Sequence, residues 1–110
     1  MPVRFKDKPW RVLDQREIDA IPGQLGVFEL ATDDGKTVLI GRADARALFG
    51  LRSAIAREAK RCEIATRFRF EVTTAYHSRH LELLMAHAAD RGCLPECNTE
   101  RAPVGRLSPG

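Results

Sequence analysis

A β-hairpin is the local structure that this sequence specifies most strongly. Two short β-prone runs, LGVFEL at residues 25–30 and TVLIG at residues 37–41, flank the segment Asp33-Asp34-Gly35-Lys36. An Asp-Gly step favours a tight hairpin turn because it supplies the positive φ angles that such a turn requires. The chain is therefore expected to contain an antiparallel sheet that includes this hairpin.

Two long helices are predicted after the hairpin. The first runs from an Asp44 cap to about residue 61 and includes Gly50. Its apolar stripe at helical spacing consists of Leu48, Leu51, Ile55 and Ala59. The second spans about residues 76–91 and stops at Gly92, because glycine is favoured just beyond a helix end. Its apolar face is predicted to consist of Leu81, Leu84, Met85 and Ala88.

A third strand is predicted between the two helices, at residues 67–73. Its side chains alternate as in a half-buried strand. One face has Phe68, Phe70 and Val72, and the other has Arg67, Arg69 and Glu71. A weaker leading helix is predicted at residues 12–21, before Pro22 and Gly23. The order β-β-α-β-α predicts an α+β fold with a three-stranded antiparallel sheet flanked by helices.

The length of 110 residues indicates one domain that needs neither a disulfide nor a metal to fold. We divide it into an N-terminal segment at residues 1–22, a domain at residues 23–98 and a flexible tail at residues 99–110. No apolar run approaches the ~18 residues of a membrane span, and the start MPVRFKDKPW lacks the apolar stretch of a signal peptide. The sequence therefore predicts a cytoplasmic protein with no membrane partner.

Three cysteines, Cys62, Cys93 and Cys97, are an odd number in a chain with no export signal. This pattern predicts reduced thiols, because stable disulfides are rare in the cytosol. A zinc site made by these cysteines and His87 is an alternative, although the CLPEC spacing lacks a second matched pair of ligands.

Several short motifs occur in the order that one known family shows. Gly26-Val27-Phe28 lies on the first predicted strand, Leu39-Ile40-Gly41 on the second, and Arg52 on the helix that follows. The segment Leu94-Pro95-Glu96-Cys97-Asn98 comes after the last helix. Over about residues 22–98, this arrangement resembles the GIY-YIG nuclease superfamily, whose motifs are Gly-Ile-Tyr, Tyr-Ile-Gly, an Arg, a Glu and a closing Asn.

The resemblance implies hydrolysis of DNA phosphodiesters. In that family a tyrosine hydroxyl helps to activate water, a glutamate holds a divalent metal, and the arginine steadies charge on the phosphate. Here Phe28 and Leu39 occupy the two tyrosine positions, and neither has a hydroxyl. The resemblance places His80, rather than Glu82, at the glutamate position.

Helical geometry agrees with that placement. At ~100° per residue, His80 lies nearer than Glu82 to the predicted apolar face of the second helix. Neutral imidazole is a poor ligand for Mg²⁺, which takes oxygen donors. We therefore expect a catalytically degenerate relative that needs no cofactor. The candidate catalytic residues are Arg52, His80, Glu82 and Asn98.

An active endonuclease is the first alternative. A shifted helix register would bring Glu82 inward, and Tyr76 or His77 would replace a lost hydroxyl. Such an enzyme would require Mg²⁺ or Mn²⁺ and would use Arg52 and Asn98 together with Glu82 or His80.

Positive charge is concentrated in residues 42–69, which carry eight basic and three acidic side chains, a net +5 in a chain of net charge +3. Lys and Arg side chains that neutralise phosphates give salt-dependent binding to DNA of any sequence, whereas the alternative is a solvated helix face. The predicted nucleic-acid-binding residues are Arg42, Arg46, Arg52, Arg57, Lys60 and Arg61.

A protein-interaction domain or a homodimer is the second alternative. An exposed apolar patch would favour it, as would a site filled by Phe28 and Leu39 without a cleft. Trp10 is predicted to staple the N-terminal segment onto the sheet, and its alternative role is a contact with a partner.

Overall fold

The computed structural model describes residues 9–44 and 48–101, with backbone alone for residues 99–101. It confirms the α+β class. The strands are β1 (Arg11–Val12), β2 (Gly26–Ala31), β3 (Thr37–Ala43) and β4 (Arg67–Val72). The helices are α1 (Gln15–Asp19), α2 (Leu51–Arg61), α3 (Tyr76–Arg91) and α4 (Glu96–Arg101). Helix α4 extends three residues into the predicted tail, whose remainder lies outside the described residues.

Within the described residues the sheet has four antiparallel strands in the order β1-β4-β2-β3, so the prediction of three strands was wrong by one. The additional strand, β1, pairs Arg11 with Phe68 at the edge of β4. A strand of two residues is too short to show an alternating pattern. The predicted leading helix is also shorter, because Asp14 caps α1 by accepting a hydrogen bond from the Glu17 amide at 2.9 Å.

The hairpin between β2 and β3 is confirmed, although among the described residues positive φ in its turn is confined to Gly35, at 85°. The turn closes through the amide of Thr32, which donates to the Lys36 carbonyl at 3.0 Å. The Asp34 carboxylate accepts hydrogen bonds from the Thr32 hydroxyl and the Lys36 amide. The Thr32 bond is the main cause that lowers the pKa of Asp34, so the carboxylate form stabilises the turn.

Helix α2 begins at Leu51, seven residues later than the Asp44 cap that the sequence predicts. The residue before it, Gly50, has φ 55°, which interrupts any helix that approaches from Asp44. A Cβ at Gly50 would lie 2.3 Å from the Gln24 carbonyl oxygen. Leu48 therefore precedes the helix and is 83% exposed, whereas Leu51 and Ile55 of the predicted stripe are buried.

The two faces of the sheet carry different helices. Neighbouring residues on a strand point to opposite faces, so Phe28 and Leu39 pack with α1 and α2, while Val27 and Ile40 pack with Leu83 of α3. Helix α4 lies along β3 at the edge of the sheet. Side chains on α2 and α3 are therefore separated by the sheet.

Helix α3 has the predicted bounds and ends at Gly92, whose φ is 77°. Its predicted apolar face was wrong in part, because Leu81 and Met85 are 46% and 71% exposed. The face against the sheet instead has buried Arg79 and Leu83. Arg79 lies on this face because its guanidinium pairs with the Glu71 carboxylate of β4 beneath the helix. None of the helices in the described part of the chain is long and apolar enough to cross a membrane.

Candidate functional site

The two strand motifs form part of the core instead of an open cleft. Phe28 and Leu39 are 1% and 0% exposed and belong to the same buried cluster. Gly41 is paired across the hairpin with Phe28, and a Cβ at Gly41 would lie 2.4 Å from the Phe28 ring. The glycine of the second motif thus provides the space for the aromatic ring of the first motif.

Arg52 connects α2 to the segment before β2. Its Nε donates a hydrogen bond to the Ile21 carbonyl at 3.0 Å, and its guanidinium lies 6.0 Å from the centre of the Phe49 ring. The side chain is half-buried on the α2 side of the sheet. These contacts give Arg52 a structural role, with its charged end beside the 48–50 turn.

His80 of α3 and Asn98 of α4 meet at the edge strand β3, where both contact the backbone of Ile40. The Asn98 amide donates to the Ile40 carbonyl at 2.9 Å and accepts from the Ile40 N–H at 2.8 Å. Ile40 lies on the edge strand β3, so one side chain satisfies both backbone groups that the edge leaves unpaired. Asn98 therefore holds α4 against the sheet and does not act as a local turn residue.

Both ring nitrogens of His80 are engaged. Nε2 lies 3.2 Å from the Ile40 carbonyl oxygen, which can only accept, so Nε2 carries the proton in the neutral ring. Nδ1 then accepts from Arg42 Nη1 at 3.3 Å. The lone pair of His80 Nδ1 thus accepts the hydrogen bond from Arg42, and a metal ion could bind this nitrogen only by displacing Arg42.

Glu82, the other candidate for the glutamate position, belongs to an ion-pair network around Arg79. Arg79 holds Glu71 through two bonds, from Nε at 3.0 Å and from Nη2 at 3.1 Å. Its Nη1 reaches Glu82 at 3.4 Å, and the Glu82 side chain is 55% exposed. Burial opposes the charge on Arg79, but the hydrogen bonds and charge of Glu71, with those of Glu82, raise the pKa of Arg79 above its ordinary value.

A second ion pair lies beside the first. Arg69 Nε donates to Glu29 Oε1 at 2.9 Å, and the Arg69 guanidinium stacks 3.9 Å from the centre of the Trp10 ring. Burial raises the pKa of Glu29, although the charge and hydrogen bond of Arg69 oppose that rise. The contact confirms that Trp10 staples the N-terminal segment onto the sheet.

Sequence reasoning missed this network because it assigned Arg69 and Glu71 to a solvent-facing side of β4. The available signal was Glu29, an acid within the apolar run LGVFEL of the central strand. A charged side chain in such a position requires a partner when it is buried.

The four candidate catalytic residues do not form one site. Arg52 lies on the α2 side of the sheet, whereas His80 and Glu82 lie on α3, and Asn98 lies on α4 at the edge. Each of the four makes a hydrogen bond or an ion pair within the fold. These residues do not fit a site for a hard divalent cation, since Glu82 supplies the one carboxylate among the four and is paired with Arg79.

The predicted basic surface is also divided. Arg42 points toward His80 on α3, Arg52 is half-buried, and Arg46 lies outside the described residues. The remaining three, Arg57, Lys60 and Arg61, are exposed on the outer side of α2, and we name them the α2 ridge. The side chain of Glu58 is 3% exposed and pairs with Arg61 at 2.9 Å and Arg57 at 3.7 Å.

The prediction that all three cysteines are reduced thiols was wrong. Cys62 and Cys97 form a disulfide with an S–S distance of 2.00 Å and a Cα–Cα distance of 5.8 Å. Cys93 is free and exposed. Two of the four proposed zinc ligands are thus used in the disulfide, and in the described part of the chain no three His, Cys, Asp or Glu side chains are placed to hold a metal. The odd cysteine count misled because it gives no information about spatial proximity.

Comparison with known proteins identifies a family whose function is unknown. A family model described as a domain of unknown function (DUF7508) matches residues 1–90. The matched region ends before Cys93, so the disulfide partner Cys97 and the edge residue Asn98 lie beyond it. No curated protein matches the chain.

Proposed function

The chain belongs to the DUF7508 family, a domain of unknown function, and within that family we propose that it is a divergent GIY-YIG-like domain that binds DNA or another phosphate-bearing partner without cutting it. The observation that carries the proposal is the α2 ridge, a cationic surface that the sheet separates from His80 and Glu82 on α3.

The motif geometry supports the GIY-YIG-like part of the proposal. Strand β2 with Gly26-Val27-Phe28 lies between β3 and β4, and Phe28 is paired directly with Gly41 of the second motif. The two strands thus present their motifs to each other across one hairpin. Because Phe28 and Leu39 are buried without a hydroxyl, the fold retains this arrangement without the groups that activate water.

The α2 ridge has the spacing of a phosphate-binding surface. Lys60 and Arg61 follow Arg57 by three and four positions, so both lie beside Arg57 on the helix surface. The Arg57 side chain is 67% exposed and Lys60 is exposed, whereas their acidic neighbour Glu58 is buried. One carboxylate against three cations leaves an excess positive charge at the surface. Lys and Arg in this setting bind phosphates without reading bases.

Binding to a fluorescent DNA duplex tests the proposal. We expect fluorescence anisotropy to show binding at low salt that weakens steeply as salt rises, because phosphate contacts release counterions. Replacing both Arg57 and Lys60 by Gln should weaken binding by about tenfold and reduce the salt dependence. Arg91→Gln, on α3 across the sheet, is the matched control and should bind like the wild type. A wild type that does not bind at low salt, or a double variant that binds equally well, contradicts the proposal.

Supercoiled plasmid tests the absence of cleavage. We expect no nicking after incubation with Mg²⁺ or Mn²⁺, because Glu82 is paired with Arg79 and both nitrogens of His80 are engaged. The comparison requires His80→Ala and Glu82→Ala variants made in parallel. Nicking by the wild type that disappears in either variant would establish the active endonuclease instead.

A protein-interaction domain or a homodimer is the second candidate function. It is favoured by the buried Phe28 and Leu39, and by Leu81 and Met85, which lie four residues apart on the exposed side of α3. Concentration-dependent sedimentation of the wild type distinguishes this candidate from a monomeric DNA-binding domain.

We also propose a cytoplasmic location, which is the location that the sequence predicts. Fractionation of cells that make the protein tests it, and recovery outside the cytoplasm would contradict it. The disulfide between Cys62 and Cys97 is unusual for that compartment.

A further inference from the structure

A cavity of about 440 Å³ opens at the edge of the sheet. It lies between the residues that begin β3, the last turns of α3 and the connection that leads to α4. Its principal lining residues are Lys36, His87, Arg91, Leu94, Pro95 and Glu96, with Cys93 on the same wall. None of them belongs to the α2 ridge, so the cavity is a separate feature of the molecule. Its volume is within the range of about 300–1,000 Å³ that small-molecule sites occupy.

The rim of the cavity is cationic. Lys36 and Arg91 contribute two positive charges, and Glu96 contributes one negative charge. Lys36 Nζ lies 3.9 Å from Glu96 Oε1, and both side chains are more than half exposed. An exposed ion pair of this kind is weak, so Lys36 can turn toward an anion in the cavity at small cost.

The inner wall combines an apolar surface with a neutral hydrogen-bonding group. Pro95 is buried, and Leu94 is 41% exposed beside it. Burial and the charge of Arg91 lower the pKa of His87, against the opposing effect of Asp90. A neutral imidazole offers one N–H donor and one lone pair, and so it does not add a third charge to the rim.

We propose that this cavity binds a small organic anion. The charged group, a phosphate, sulfonate or carboxylate, lies between Lys36 and Arg91, and an apolar body of about one ring packs against Leu94 and Pro95. Cationic groups at the rim and an apolar wall within are the usual division of roles in small-molecule sites, where few polar groups orient a ligand that is largely buried by apolar contact. The site is independent of the proposed DNA-binding surface.

Cys93 provides a reporter inside the proposed site. It lines the cavity, is exposed, and is the one cysteine outside the disulfide. Iodoacetamide should therefore alkylate Cys93 alone in the folded, oxidised protein. A ligand in the cavity covers this thiol and slows the alkylation.

The test uses phenyl phosphate as the probe, with inorganic phosphate and phenol as its two separated halves. We expect saturating phenyl phosphate to slow Cys93 alkylation at least about fivefold and to bind in a calorimetric titration, with each half more than tenfold weaker. Lys36→Gln and Arg91→Gln should each weaken phenyl phosphate binding by about tenfold, because each removes a charged contact. Arg16→Gln, at an exposed arginine of α1 that belongs neither to the cavity nor to the α2 ridge, is the control and should leave the affinity unchanged.

Three outcomes would overturn the proposal. In the first, phenyl phosphate leaves both the alkylation rate and the titration unchanged. In the second, phenyl phosphate binds, but Arg57→Gln weakens binding while Lys36→Gln and Arg91→Gln do not, which would assign the anion to the α2 ridge. Binding of inorganic phosphate as tight as that of phenyl phosphate would also exclude a role for the apolar wall.

Discussion

Replacement of Arg79 by Met is expected to lower the free energy of unfolding by about 3–5 kcal/mol, the range found when one partner of a buried ion pair is removed. The Arg79 side chain is 8% exposed and bonds both oxygens of Glu71, which is 15% exposed. Met has a similar volume, so the loss of stability arises from the Glu71 carboxylate, which is left beneath α3 without its partner. Urea unfolding followed by circular dichroism measures the change.

The control and the second variant separate charge from packing. Arg16→Met removes an exposed arginine of α1, and it should change stability by no more than about 0.5 kcal/mol. The double variant Arg79→Met with Glu71→Leu should recover much of the loss, because it removes the isolated carboxylate as well. A loss below about 1 kcal/mol for Arg79→Met would show that the pair is not buried in the protein as it is in this structure.

Removal of the disulfide should have the second large effect. Cys62 and Cys97 are 35 residues apart in sequence, and closing a loop of that size in the unfolded chain stabilises a fold by about 3–4 kcal/mol. The variant with both residues changed to Ala should lose this amount in urea unfolding. A reducing agent should produce a similar loss in the wild type, whereas Cys93→Ser, at an exposed position, should be neutral.

The same variant should loosen one part of the fold more than another. The disulfide joins the end of α2 to α4, and the neighbouring residue Asn98 satisfies the N–H of Ile40. Amide hydrogen exchange at Ile40 should therefore become faster, while exchange in α3 should change less. Equal stability and equal exchange at Ile40 would mean that α4 is held on the sheet by its other contacts.

Local signals in the sequence predicted the elements that depend on near neighbours along the chain. Gly35 and Gly92 adopt positive φ in a turn and at a helix end, and both boundaries were found from residue type alone. Gly50 also has positive φ, but the sequence pattern places it inside the predicted first helix. A glycine before a helix and a glycine inside one look alike in sequence, and the contact with Gln24 that distinguishes them is distant along the chain.

In the candidate site, too, the sequence predicted features set by near neighbours and missed those set by distant contacts. Helical geometry placed His80 closer to the sheet than Glu82, and the structure has His80 at the Ile40 carbonyl and Glu82 at the surface. Helical periodicity gives no information about which face of the sheet a helix covers. Arg52 and His80 were therefore expected in one site, although the sheet separates them.

The sequence by itself determined the α+β class, the hairpin, the bounds of α3 and the positive charge of residues 42–69, because turn preference, helix ends, periodicity and charge depend on residues near one another in the chain. Only the tertiary structure decided the pairing of Cys62 with Cys97, the burial of Arg79 against Glu71, and the division of the basic residues between two sides. These features depend on contacts between distant segments. The energy of such a contact depends on how deeply the groups are buried and on which partner lies nearby. Residue spacing along the chain predicts neither of these.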